Sequence, residues 1–152
     1  MNSWRPSPQI RVKALGLHWR DGELLAAEVR DDAGHIRGVR PLGGSVEFGE
    51  TARAAVIREF QEELGITVTT TAPPIFFENI YTHEGAQGHE MLVLFEVTFP
   101  PGAFAGTDRI SFHENDGTAF VAEWHDLDQL DLPGGPQLFP SGLKAYLRSG
   151  ER

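Results

Sequence analysis

Glu59, Glu62 and Glu63 stand at spacing i, i+3 and i+4 in a stretch of good helix formers. On an α-helix, at about 100° per residue, they share an arc roughly 100° wide and are neighbours on one face. Like charges packed so closely weaken an isolated helix and raise one another's pKa unless a cation is present. A hard divalent ion resolves the conflict. Mg²⁺ takes oxygen ligands, keeps several waters, and commonly binds through a few carboxylates plus substrate phosphates. A solvated acidic face would instead carry lysine or arginine four residues on. None of the three glutamates has one there, Gln61 and Leu64 between and beside them bring no charge, and only Arg53 and Arg58 are near. Glu47 and Glu50 bring the segment from Glu47 to Glu63 to five carboxylates against those two arginines.

The glutamates belong to a longer pattern. Five residues separate Gly44 from Glu50, and seven more lead to Arg58-Glu59-Phe60-Gln61-Glu62-Glu63-Leu64-Gly65-Ile66. This resembles the Nudix box, Gly-x5-Glu-x7-Arg-Glu-U-x-Glu-Glu-x-Gly-U with U a bulky apolar residue. All seven fixed positions match, and Phe60 and Ile66 fill the apolar ones. Many members read Leu-Pro-Gly-Gly into the box. Here the order is Pro41-Leu42-Gly43-Gly44, and Arg40 and Val39 stand where an aromatic is common.

The resemblance implies a hydrolase that cleaves a nucleoside diphosphate linked to another moiety, using Mg²⁺, or Mn²⁺ in its place, and an attacking water. Glu59, Glu62 and Glu63 would be the metal carboxylates, joined by the backbone carbonyl of Gly43. Glu47, at a commonly acidic position, would be a ligand or the partner of Arg58. Arg58 and Glu50 would be structural, the arginine orienting nearby carboxylates. The general base varies among relatives. The first choice is Glu114, in a loop ahead of the last strand, as base or extra metal ligand. Glu63 is its main rival, followed by Glu123 and then Glu90. Arg30 resembles a phosphate-contacting position, Arg37 and Arg40 are near it, and arginine forks suit phosphate. Gly44 completes the substrate-binding set. ADP-ribose-like or nucleotide-sugar substrates come first, nucleoside triphosphates of the 8-oxo-dGTP type second, and a non-catalytic nucleotide sensor third. A homodimer is a further expectation for the family.

These residues need a scaffold. Residues 1–9, with two prolines, read as an arm, and residues 10–148 as one domain. Ile10 to Leu17, Glu23 to Arg30 and His35 to Leu42 are strand-like, with turn signals at Arg20-Asp21-Gly22 and Asp31-Asp32-Ala33-Gly34. Gly43 to Gly49 reads as loop. Residues 51–64 form the strong helix, with Thr51 to cap it and Gly65 to end it. Ile75 to Tyr81 and His89 to Phe99 are expected to pair around His83 to Gly88. Pro100 to Gly117 reads as a long loop, Thr118 to Trp124 as the last strand, and Pro140 to Leu147 as a short helix. Core packing is the expected role of Phe76, Phe77 and Tyr81, with Phe112 the freer ring. The pattern is α+β, which the resemblance refines to an α/β/α sandwich around a mixed sheet.

Composition sets the outer limits. The 152 residues carry 22 acids against 13 lysines and arginines, a net charge of −9, with no cysteine. Disulfides, a thiol nucleophile and thiolate zinc are therefore excluded. An extended nucleic acid wants a basic surface, which this chain does not offer. A small phosphate compound that arrives with metal is compatible with the charge. The longest apolar run, Met91 to Phe95, is far below the roughly 20 residues of a membrane span. The first residues show no apolar leader, so the expected location is the cytoplasm.

Overall fold

A computed structural model describes residues 3–114 and 116–149. The chain begins with β1 (Ile10–Leu17), the short β2 (Trp19–Arg20), β3 (Glu23–Arg30), β4 (Ile36–Arg40) and β5 (Leu42–Ser45). Next come α1 (Ala52–Leu64), β6 (Thr69–Thr70), β7 (Ile75–His83) and β8 (Ala86–Thr98). The last elements are β9 (Arg109–His113), β10 (Ala119–His125), a 3₁₀ turn at Leu127–Gln129, β11 (Gln137–Leu138) and α2 (Leu143–Arg148).

Two mixed sheets result. One runs β5-β1-β8-β6, with β7 also on β8, and the other runs β11-β4-β3-β10-β9, with β2 on β3. The β1–β8 and β4–β11 pairs are parallel and the rest antiparallel. Side chains alternate across a strand, and here each side meets a different helix. Ala14 of β1 and Leu25 and Ala27 of β3 join Val56 and Phe60 of α1. Leu15, Leu17, Leu24 and Ala26 join Leu143 and Leu147 of α2. The fold is therefore α+β, an α/β/α sandwich. Among the described residues, no helix is long and apolar enough to cross a membrane.

Helix α1 is held at both ends. The Thr51 hydroxyl accepts from the Ala54 N–H at 3.0 Å. Gly65 adopts φ 71°, and its N–H donates to the Gln61 carbonyl. One side of the helix buries Ala55, Val56 and Phe60. Phe60 lies so close to β1 that a Cβ on Gly16 would come within 2.5 Å of its ring. This packing fixes the rotation of the helix, and with it the direction of the three glutamates.

Several expectations change. The long loop contains β9, which pairs antiparallel with β10 and buries Ile110 and Phe112, so only residues 100–108 form the connection. The stretch read as glycine loop begins as a strand, β5, paired with β1. The β7–β8 turn is shorter than expected. Glu84 and Gly85 both adopt positive φ, and the strands reach to His83 and Ala86. Phe76 is not in the core. It is 71% exposed on β7, while Phe77 turns inward against Tyr146. Phe112 is buried and stacks on Phe120. Helix α2 starts at Leu143, after Pro140. Of the expected arm, Met1 and Asn2 lie outside the described residues. The remainder lies against two turns, with Arg5 paired to Asp32 at 2.7 Å and Trp4 edge-on to His83.

Candidate active site

A cavity of about 330 Å³ opens between β1, β5, the last turns of α1 and the β9–β10 turn. Helix α1 contributes Glu59, Glu62 and Glu63, and β5 contributes Gly43 and Gly44. His113, Glu114 and Asp116 come from the β9 end and the turn after it. That turn is self-braced. The Glu114 N–H donates to the Thr118 carbonyl at 2.9 Å, and the Thr118 N–H donates to Asp116 Oδ1 at 2.9 Å. Asn115, part of the loop expected to carry the base, lies outside the described residues.

Arg58 sets the direction of the carboxylates. Its Nε and Nη2 grip Glu50 at 2.7 and 3.0 Å, a bidentate pair. Its Nη1 donates to Glu59 Oε2 at 3.0 Å and Glu62 Oε1 at 3.2 Å, and Nη2 also reaches the Ser45 carbonyl at 3.0 Å. One guanidinium thus ties the glycine strand, the cap region and the helix face together. The hydrogen bonds from Arg58, helped by the Glu47 backbone, hold the Glu50 carboxyl below the usual range. Glu50 also raises the pKa of Arg58, so the pair is firmly charged. Glu50, not Glu47, is the partner of Arg58. Glu47 is exposed outside the cavity, and its N–H donates to Glu50 Oε1 at 3.1 Å.

The glycines have separate reasons. Gly43 adopts φ 151°, and a Cβ there would fall 2.0 Å from the Ala14 carbonyl oxygen. Gly44 has no such backbone demand, but its Cβ would lie 2.4 Å from the Glu59 carboxyl carbon. The missing side chain is the space the carboxylate occupies. Gly44→Ala should therefore keep the fold and displace Glu59. We expect affinity for Mn²⁺, read by the metal-induced rise in Tm, to fall about 10–100-fold, as for lost support of a metal ligand. An unchanged rise would show that Glu59 does not need this position.

Glu63 is the strained member. Burial, followed by the charge of Glu59, pushes its carboxyl up to about 9. Its Oε1 is buried with no hydrogen-bond partner. Glu59 is also pushed up by burial, with Arg58 opposing. Among the described residues, no three acidic or imidazole side chains form a ready-made metal cage. The donor chemistry nevertheless fits a hard cation. An unpaired buried carboxylate oxygen, a second carboxylate seated against a glycine strand and a third beside Arg58 face one space. A cation that keeps several waters needs no closed cage of protein ligands.

Arg40 lines the cavity, whereas Arg30 and Arg37 do not. Arg30 donates to the Gly34 carbonyl at 2.6 Å and to Glu28 at 2.7 Å, which bends it back onto its own hairpin. Arg37 is exposed on β4. Glu123 pairs with Arg109 at 3.2 Å, and Glu90 with Lys13 at 3.0 Å, both away from the glutamate cluster. Sequence reasoning missed Lys13, Ser45, His113 and Asp116 as lining residues. Lys13 had a visible signal, a cation in the otherwise apolar run Val12-Lys13-Ala14-Leu15.

The arrangement has relatives. The ORF135 protein of E. coli, known from its solution structure, is 22% identical over 94% of each chain, with a TM-score of 0.58. A MutT NUDIX hydrolase from Burkholderia pseudomallei is 27% identical, covering 85% of this chain and 91% of that one, with a TM-score of 0.55. A UDP-X diphosphatase is 16% identical over 89% of this chain and 57% of its own, with a TM-score of 0.52, and shares the fold alone. No curated protein matches the chain. The NUDIX domain family matches residues 8–143, which takes in both sheets, the glycine strand and the glutamate helix. A helix pinned at both ends, a strand opened by two glycines and an arginine spanning them are thus the box at work, and the chain belongs to the NUDIX family of pyrophosphohydrolases.

Proposed function

We propose that this protein is a divalent-cation-dependent pyrophosphohydrolase. It cleaves a nucleoside diphosphate linked to another moiety, with ADP-ribose and nucleotide sugars as the first substrate class. One observation carries the reading. A buried, unpartnered Glu63 oxygen lies in a cavity that also holds Glu59, Glu62, Glu114, Lys13 and Arg40. Glu59, Glu62 and Glu63 would hold Mg²⁺ or Mn²⁺, with the Gly43 carbonyl in reach of the same space. When bound, the ion would neutralise phosphate charge and lower the pKa of a water.

The chain's own residues have separate tasks. Arg58 keeps Glu59 and Glu62 turned to the cavity. Gly44 leaves the room in which Glu59 sits. Arg40 attracts the phosphates within the same cavity. A carboxylate must accept the proton of the attacking water. Glu114 is the first choice because it enters the same cavity from another element, the β9–β10 turn, and its charge is felt at Glu63 and Glu59.

The test is a phosphate-release screen with Mg²⁺ and with Mn²⁺ over ADP-ribose, nucleotide sugars, dinucleoside polyphosphates and (deoxy)nucleoside triphosphates. We expect turnover of at least one diphosphate-linked substrate, its loss in EDTA, and its loss in Glu62→Gln. Turnover confined to triphosphates would move the assignment to nucleotide sanitising. Tight ADP-ribose binding without turnover under either metal would make the protein a sensor.

A further inference from the structure

Two cavities meet at one residue. The glutamate-lined cavity is lined by Lys13 and Arg40 as well. A smaller crevice beneath the arm is lined by Trp4, Arg11, Tyr81, His89 and Glu90, and also by Lys13. The Lys13 ammonium faces Glu90 Oε2 at 3.0 Å, with side chains 20% and 12% exposed. Asn79 Nδ2 donates to the other Glu90 oxygen at 3.4 Å and steadies it. Burial and the nearby Arg40 both disfavour the charged lysine, and Glu90 opposes them. An ammonium has three donors and no acceptor. With one donor turned to Glu90, the others are available to an anion entering from the cavity.

Lys13 and Arg40 line the same space as the glutamates, and Arg40 is near enough for its charge to be felt at both Glu63 and Lys13. We propose that Lys13 is the specificity-determining cation of this enzyme: beside Arg40, it takes one phosphate of the ligand, and Glu90 holds it there in competition with that phosphate. The inference rests on the pyrophosphohydrolase reading and deepens it. It makes the preferred ligand a pyrophosphate group whose two phosphoryl units can engage Lys13 and Arg40 at once, with a single phosphate engaging only one of the two. The moiety attached to the second unit then emerges at the arm crevice, against Tyr81 and Trp4.

The test uses inorganic pyrophosphate and inorganic phosphate as probes in isothermal calorimetry, with excess EDTA so that no turnover occurs. The wild-type chain should bind pyrophosphate at least tenfold tighter than phosphate. Lys13→Met should lose at least tenfold of the pyrophosphate affinity, and Lys13→Arg should stay within about threefold of wild type. Glu90→Gln removes the competing carboxylate and should bind pyrophosphate tighter, a direction that mere loss of structure would not produce. With the best substrate of the screen, Lys13→Met should raise KM at least tenfold and change kcat less than threefold. If Lys13→Met does not fold, Glu90→Gln and Lys13→Arg decide the matter alone. Equal affinity for the two probes, wild-type affinity in Lys13→Met, or weaker binding in Glu90→Gln overturns the inference. Lys13-dependent pyrophosphate binding without hydrolysis of any substrate would sink the catalytic reading and leave this one standing. Hydrolysis by a chain whose binding ignores Lys13 would do the reverse.

Discussion

Glu63→Gln should lower kcat by about 10²–10⁴-fold on whichever substrate the screen identifies, the range spanned by loss of a group that handles the reacting water or its metal. The substitution keeps shape and volume, so the loss would be one of charge. Glu63 also makes a prediction for the metal-free protein. Its carboxyl is pushed up to about 9 by burial and by Glu59, against about 4.3 in an unfolded chain. The folded state therefore holds a proton that the unfolded state releases between those two values. Stability from this group is complete below the unfolded pKa and is lost as pH rises through the folded one. In EDTA, Tm should fall between pH 5 and pH 9, and Glu63→Gln should flatten that decline. A divalent ion competes with the proton, so the Mg²⁺-induced rise in Tm should grow over the same interval. A wild-type Tm that climbs from pH 5 to pH 9 in EDTA would contradict the burial of this carboxyl. A Glu63→Gln variant within tenfold of wild-type kcat would remove Glu63 from the chemistry.

Arg58→Met should be the most destabilising single change at the site. The guanidinium satisfies Glu50 twice, Glu59, Glu62 and the Ser45 carbonyl. Surface ion pairs contribute little, but this one is a half-buried hub. Its removal leaves Glu50, Glu59 and Glu62 without the compensating charge. We expect a loss of about 2–4 kcal/mol by urea denaturation, short of the full effect of breaking a fully buried pair. Activity should fall as well, since Glu59 and Glu62 lose their orientation. Arg58→Lys should recover little of either, because a point charge cannot reproduce the fork on Glu50. Saturating Mn²⁺ should restore part of the stability by neutralising the same carboxylates. Loss of stability below 0.5 kcal/mol would show that the hub is decorative.

The helix was legible because its signals are local. Thr51, the helix formers after it and Gly65 lie next to the turns they define, and the box supplied the phase of its glutamates. Strand β9 was hidden because five residues with only Ile110 and Phe112 apolar look like loop until β10 is laid beside them. Phe76 misled for a related reason. Two adjacent phenylalanines must point to opposite sides of a strand, and only the placement of α2 decides that Phe77 goes inward. The cavity's cationic wall is a product of distant pairing. Lys13 on β1 and Arg40 at the end of β4 become neighbours of the glutamates only when β5 pairs with β1 and α1 packs over them. Arg30 and Arg37 have the same chemistry as Arg40, but their positions along the hairpin carry them away from the cavity. Glu47, expected as a ligand or as the partner of Arg58, lies outside the cavity, and Glu50, expected to be structural, takes the fork of Arg58.

The contact between Gly44 and the Glu59 carboxylate bears on how this motif can change over time. The two positions are fifteen residues apart along the chain but occupy one volume, so a mutation at either is judged by the state of the other. A side chain acquired at position 44 would be tolerated only after Glu59 had shortened or gone, and by then the constraint that kept a glycine there would have vanished with it. Descendants of such a chain should lose the two residues together. In a divergent relative, a bulkier residue at the glycine position would thus be an early sign that the glutamate's duty had already been given up.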